Sequence, residues 1–281
     1  MHIFEQTGPL EEYLNSCREV NRSVALVPTM GGLHQGHLKL IDKAKECSEI
    51  VVVSVFVNPT QFAENEDFEA YPKTLSEDKE ILEAMEVEVM FVPLDNQIYP
   101  DGKLQDYDVG RMGKILCGIS RPIHFNGVAQ VVSRLFDIVK PNYAVFGEKD
   151  YQQLLIIKSL VERKDIKTTI VSVPTVRESD GLAMSTRNSY LSSQDRTNAA
   201  LFYQQLVAIK LAIQSGNEIS GAIELAVDAL SDIFEVEYIE VLNANNLTQI
   251  TTSSCEIIII SAVRLGETRL IDNIVFRRSD V

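Results

Sequence analysis

Short β-branched and apolar runs recur through the first two thirds of the chain, at Val24–Val27, Ile50–Val57, Val87–Val92, Tyr143–Phe146 and Thr169–Val173. Runs of this kind suit strands buried on both faces. Between them lie stretches with helical spacing, among them Gly36–Cys47, Thr74–Met85 and Ala129–Val139. The alternation predicts an α/β fold, a doubly wound parallel sheet of Rossmann-like type. Thr74 and Glu77 have the spacing of a capping box at the head of their helix.

After Pro174 the pattern changes. Helical stretches near Ser192–Gln214 and Ile219–Phe234 precede runs at Val236–Leu242, Glu256–Val263 and Arg269–Phe276. The turn-forming segments NANNLTQ and LGET between those runs make them antiparallel neighbours. The expected organisation places a Rossmann-like domain over residues 1–175. A smaller C-terminal α+β domain over residues 176–281 would close over the active site.

Composition narrows the classes of function. With 45% apolar and 23% charged residues in 281, the chain lies in the globular range. Its longest apolar run, Ile257–Val263, is broken by Ser261 and is far short of the ~20 residues that cross a bilayer. The N-terminus MHIFEQTGPLEEYL lacks a basic start followed by an apolar stretch, so neither a membrane nor a secretory signal is expected and the location reads as cytoplasmic. Cys17, Cys47, Cys117 and Cys255 are scattered, without a CxxC pair, and read as reduced thiols rather than disulfides or zinc ligands. A net charge of −14 disfavours nucleic acid. It leaves room for a phosphorylated small molecule held by a few cations and helix N-termini.

The richest segment is Pro28-Thr29-Met30-Gly31-Gly32-Leu33-His34-Gln35-Gly36-His37-Leu38, which leaves a strand and enters a helix. Ligands bind at such strand ends, glycines let backbone N–H groups approach a phosphate, and a helix N-terminus adds a positive dipole. His34 and His37, three apart, face the same side of a helical turn and offer two donors to one phosphate. The plainer reading is a glycine-rich turn carrying two surface histidines. Gln61 follows an Asn-Pro turn at the same sheet edge, and its amide suits a hydroxyl-bearing ligand. Gly147-Glu148-Lys149-Asp150 again follows a strand and opens a helix, so Lys149 can neutralise phosphate there. Otherwise these charges form an exposed, mutually paired turn. Met184-Ser185-Thr186-Arg187 lies in the inter-domain stretch, either a phosphate-binding loop or a linker with helix-capping hydroxyls.

Taken together, these segments resemble the pantothenate synthetase family of the HxGH nucleotidyltransferase superfamily. PTMGGLHQGHL, SVFVNPTQF, Tyr71-Pro72, Arg121-Pro122 with His124-Phe125-Asn126-Gly127-Val128, FGEKDYQQ and PTVRE through MSTRN stand in family order over residues 28 to about 190. The C-terminal third carries no comparable motif. The resemblance implies that Met30, Gly31, Gly32, Leu33, His34, Gln35, Gly36 and His37 bind ATP. Gly147, Glu148, Lys149, Asp150, Val176, Met184, Ser185, Thr186 and Arg187 would join them, with Val176 acting through its backbone on adenine and Asp150 or the Gly147 backbone on the ribose. Pro28, Met30, Gln61 and Gln153 would hold pantoate, and Gln61 would also meet β-alanine. His34, His37 and Lys149 would be the catalytic groups. Thr186 departs from the usual serine, Ile123 from glycine, Gln130 from threonine and Arg134 from lysine.

The implied reaction joins pantoate to β-alanine through an acyl adenylate, with ATP as substrate, Mg2+ held by ATP oxygens and water rather than by a protein metal site, and a homodimer as the assembly. Arg121, His124 and Asn126 are expected in a loop near the site and receive no catalytic role. Two alternatives stand beside this reading. One is another adenylyltransferase, which should offer extra cations for a phosphorylated acceptor; the other is a silent nucleotide-binding or dimerisation protein.

Overall fold

In the computed structural model, which describes residues 1–64, 66–100, 102, 107–251 and 254–277, six strands form one parallel sheet. They are β1 (His2–Phe4), β2 (Val24–Thr29), β3 (Ile50–Val55), β4 (Val89–Phe91), β5 (Tyr143–Gly147) and β6 (Thr169–Val173), in the spatial order β1-β4-β3-β2-β5-β6. From β2 the chain steps outward through β3 to β4, then returns to β5 on the other side and continues to β6. That reversal makes the carboxyl ends of β2 and β5 the switch point, where ligands of open α/β sheets bind.

The helices in chain order are α1 (Thr7–Glu19), α2 (Gln35–Cys47), α3 (Leu75–Ala84), the single turns α4 (Asp95–Ile98) and α5 (Cys117–Ser120), α6 (His124–Val139), α7 (Tyr151–Arg163), α8 (Ser193–Gln214) and α9 (Ile219–Ser231). Strand alternation divides the first core in two. Val24, Leu26, Ile50, Val52 and Phe91 pack with Leu10 and Leu14 of α1 and Val132 and Leu135 of α6, while Ala25, Val27, Val51, Val53 and Met90 pack with Ile41 and Ala44 of α2 and Leu82 of α3. Every one of these side chains is essentially buried, which is worth about 1.5–3 kcal/mol for each Val, Leu, Ile, Phe or Met.

The chain divides into two compact units, one of Met1–Glu148 with Gln153–Pro174, the other of Lys149–Gln152 with Thr175–Val281. Positions 278–281 lie outside the described residues. In the second unit β7 (Glu235–Asn243), β8 (Glu256–Leu265) and β9 (Thr268–Arg277) form an antiparallel sheet in that order, with Thr268 opposite Leu265 across a tight turn. Ala199, Phe202, Leu206, Ile209 and Ile213 of α8 recur three and four apart and pack with Ala222, Ala226 and Leu230 of α9 and with Ile257 and Ile259 of β8. Among the described residues no helix is long and apolar enough to cross a membrane.

Three local expectations need correction. The sheet begins earlier than Val24, at β1, whose three residues pair in parallel with Val89–Phe91. So short an edge strand has no periodicity of its own. The Thr74–Glu77 capping box does not form, because Thr74 makes no side-chain cap and turns its hydroxyl to Asp78 Oδ2 at 3.3 Å. Finally, α6 starts at His124 instead of Ala129, so His124 and Asn126 belong to its first turn rather than to a loop.

Candidate active site

The turn after β2 is built on two left-handed glycines, Gly31 at φ 81° and Gly32 at φ 63°. A Cβ on Gly31 would come within 2.9 Å of Asp78 Oδ2. Thr29 Oγ1 donates to the Ser54 carbonyl at 2.7 Å and accepts from Gly31 N at 3.2 Å, which starts the turn. Asp78 on α3, only 1% exposed, then accepts from Gly32 N at 3.0 Å and Leu33 N at 2.8 Å. A protein carboxylate therefore occupies two N–H groups of the kind sequence reasoning offers to a phosphate.

His34 is the N-cap of α2, with extended backbone rather than helical. Its Nδ1 accepts from Gly36 N at 3.1 Å, and His37 Nδ1 accepts from His34 N at 3.3 Å, a reciprocal cap made entirely by imidazoles. The two rings lie 4.1 Å apart between centroids. An Nδ1 that accepts carries no proton, so this hydrogen bonding assigns the neutral-ring proton to Nε2 in both residues. In both rings the donor nitrogen is thus Nε2.

Gln61 ends a 3-10 turn, Pro59–Gln61, capped by Asn58, whose Oδ1 accepts from Thr60 N at 3.3 Å. Although only 9% exposed, Gln61 meets Met30 across the turn, with Nε2 3.2 Å from Met30 Sδ. Its carbonyl is gripped twice, by His124 Nδ1 at 3.0 Å and Arg121 Nη2 at 3.4 Å. Because a carbonyl only accepts, His124 carries its proton on Nδ1. Arg121 in turn forks onto Glu66 at 2.5 and 2.6 Å. Burial acts to raise the Glu66 carboxyl, but the hydrogen bonds and charge of Arg121 outweigh it and hold the group below its usual range. Gly127 lets α6 come against this turn, since a Cβ there would run into the Thr60 carbonyl.

At the end of β5, Glu148 Oε1 accepts from Ser172 Oγ of β6 at 2.8 Å. Gln153 lies half-buried on α7 of the same unit. In the second unit the carbonyl of half-buried Lys149 accepts from Asn273 Nδ2 of β9 at 3.0 Å. Asp150 is exposed. The segment 176–184 is a small hairpin, with Met184 N donating to the Val176 carbonyl at 2.9 Å and Arg177 bridged to Ala183. Arg177 tethers it: its guanidinium forks onto Asp272 at 2.6 and 2.9 Å, reaches the carbonyls of Gly181 at 3.1 Å and Asn273 at 3.2 Å, and stacks 3.8 Å over Tyr203. Burial pushes the Asp272 carboxyl up while Arg177 pulls against it. Next to the hairpin, Ser185 Oγ accepts from Arg187 N at 3.3 Å and caps the 3-10 turn Thr186–Tyr190. The capping role left open for this segment is real.

Sequence reasoning missed Asp78, Glu66, Asp272 and Asn273, none of which carries a local signal, and gave Arg177 no role although it lies in the PTVRE block. Asn58 had one, as the Asn of an Asn-Pro turn.

Three comparisons bear on this arrangement. A family model described as pantoate-beta-alanine ligase matches residues 2–275. A pantothenate synthetase of Vesicomyosocius okutanii is 49% identical over 280 residues, covering 100% of this chain and 99% of that protein. Among solved structures, a pantothenate synthetase from Thermus thermophilus is similar with a TM-score of 0.92 at 39% identity, covering 98% of this chain and 99% of that one. A pantoate-beta-alanine ligase from Francisella tularensis, complexed with beta-gamma ATP and beta-alanine, has a TM-score of 0.83 at 36% identity, covering 99% and 98%.

Proposed function

The chain belongs to the pantoate-beta-alanine ligase family, and on that premise we propose that it works through a pantoyl adenylate. The protein condenses pantoate with β-alanine to pantothenate at the expense of ATP. In the first step a pantoate carboxylate oxygen attacks the α-phosphorus, and the bond to pyrophosphate breaks. In the second the β-alanine nitrogen attacks the acyl carbon, loses a proton and expels AMP. No side-chain nucleophile takes part, so the rate must come from positioning and electrostatics.

The observation that carries this reading is the His34–His37 pair, two Nε2–H donors set by a shared cap at the switch point of the sheet. These donors meet the charge that grows around the α-phosphorus. In the first unit Gly31–His37 with Met30 take ATP, Gln61, Gln153, Met30 and Pro28 take pantoate, and Gln61 also faces β-alanine. Lys149, Ser185 and Arg187 of the second unit take phosphates, with Met184 and Thr186 in the same loop; the Val176 backbone takes adenine, and Asp150 or the Gly147 backbone the ribose. Magnesium enters as the ATP salt, as the reaction's substrate, and keeps mostly phosphate and water ligands. The enzyme acts in the cytoplasm as a homodimer, a reading supported by likeness to the family and tested by sedimentation velocity.

Mixing purified protein with magnesium, ATP and pantoate, without β-alanine, tests the mechanism. Pyrophosphate should form in proportion to active sites, and AMP should follow once β-alanine is added. ADP and inorganic phosphate as products would replace the adenylate with an acyl phosphate.

A further inference from the structure

One carboxamide in the first unit has its direction set at both ends by backbone. Asn58 Oδ1 faces the N–H of Thr60 at 3.3 Å, a group that only donates, and Asn58 Nδ2 faces the carbonyl of Gly127 at 3.1 Å, a group that only accepts. Turning the amide round would break both contacts. Its second N–H therefore meets Gln61 Oε1, at 3.1 Å. Gln61 is committed in turn, with its oxygen toward Asn58 and its Nε2 on the side of Met30.

Tyr99 stands at the head of this series. Its hydroxyl donates to Asn58 Oδ1 at 2.6 Å, shorter than the contacts of 2.9 Å from Thr60 Oγ1 and 3.3 Å from Thr60 N to the same oxygen. The side chain is only 6% exposed, and burial pushes its hydroxyl up to about 12, so it stays protonated and remains a donor. Donors in series polarise one another, each N–H becoming stronger because its own amide oxygen is already engaged.

We infer that Tyr99 is a positioning residue which, through Asn58, holds Gln61 with its amide N–H groups toward the substrate. Gln61 then acts as a donor, to a carboxylate or hydroxyl oxygen of pantoate and to the carboxylate end of β-alanine. This rests on the assignment of Gln61 to pantoate.

A double-mutant cycle separates the two claims. Tyr99→Phe removes only the hydroxyl and keeps the ring beside Phe56, whose centroid is 6.3 Å away. It should raise the KM for pantoate about three- to tenfold, the range for one lost hydrogen bond, with the KM for ATP unchanged. In a Gln61→Ala background the same substitution should add nothing, since the group it orients is gone. The same factor in both backgrounds, or no change in either, overturns the inference while leaving Gln61 in place. Unaltered pantoate binding in Gln61→Ala alone overturns the assignment beneath it, and the inference with it. Should Tyr99→Phe not fold, Asn58→Asp replaces the Nδ2 donor by an oxygen and must reverse Gln61. Its pantoate KM should then rise with that for ATP unchanged, and an unchanged pantoate KM overturns the inference.

Discussion

His37 Nδ1 accepts the backbone N–H of His34 at 3.3 Å, so the group that caps α2 also fixes which nitrogen of His37 carries the neutral ring's proton. Helix start and paired donors are one structure, and substituting either histidine acts on both. Removing the imidazole of His37 should slow pyrophosphate release from ATP and pantoate by a factor of about 10²–10³, as for one preorganised donor. Conversion of supplied pantoyl adenylate should suffer much less, because pyrophosphate has already left. Lys149→Met should show the same asymmetry. Single-turnover kinetics begun from each starting point measure it, and equal slowing from both, in a folded variant, would mean general positioning of the adenylate.

Asp78 accepts two backbone N–H groups of the glycine turn after β2 from a position only 1% exposed. In Asp78→Asn one of them faces an amide N–H2 instead, which should cost about 1–3 kcal/mol of stability. The KM for ATP should rise as the turn loosens. Urea denaturation and steady-state kinetics read the two effects, and a loss of stability with an unchanged ATP KM would remove Asp78 from the site.

Glu66 has its carboxyl held below the usual range by Arg121, against the opposing effect of burial. A depressed carboxylate stabilises the fold above its unfolded value of about 4.3, and that stability is lost as pH falls through the folded value. The stability difference between wild type and Glu66→Gln should therefore be largest above pH ~4.3 and shrink below it. Denaturant titrations at several acid pH values follow this difference. A pH-independent gap would show that the pair acts through packing alone.

Arg177 and Asp272 form a buried fork, with Asp272 2% exposed. Asp272→Ala leaves the guanidinium without its counter-charge and should cost about 3–5 kcal/mol. Replacing both partners with apolar residues should recover much of that loss, by the same measurement. A double variant as unstable as the single one would assign the cost to the cavity instead.

Local patterning was enough for much of the architecture. Five of the six parallel strands are visible as β-branched runs, and the antiparallel order of β7, β8 and β9 follows from the turn residues between them. The turn after β2 is equally legible, because its conformation is written into adjacent residues: two glycines that take positive φ and two histidines three apart. What these signals share is range, each acting within a few residues of itself.

Polarity within the site came from farther away. Asp78 reaches the turn from 45 residues beyond Leu33, Tyr99 reaches Asn58 across 41, and Asp272 reaches Arg177 across 95. Nothing near Gln61 says whether its amide offers oxygen or nitrogen, and nothing near Arg177 names its partner. Strand β1 belongs to the same class, too short to show a period and made a strand only by pairing with β4. Side-chain hydrogen bonds take their direction from whichever donor or acceptor the folded chain brings opposite, and that choice exists only once distant segments have packed.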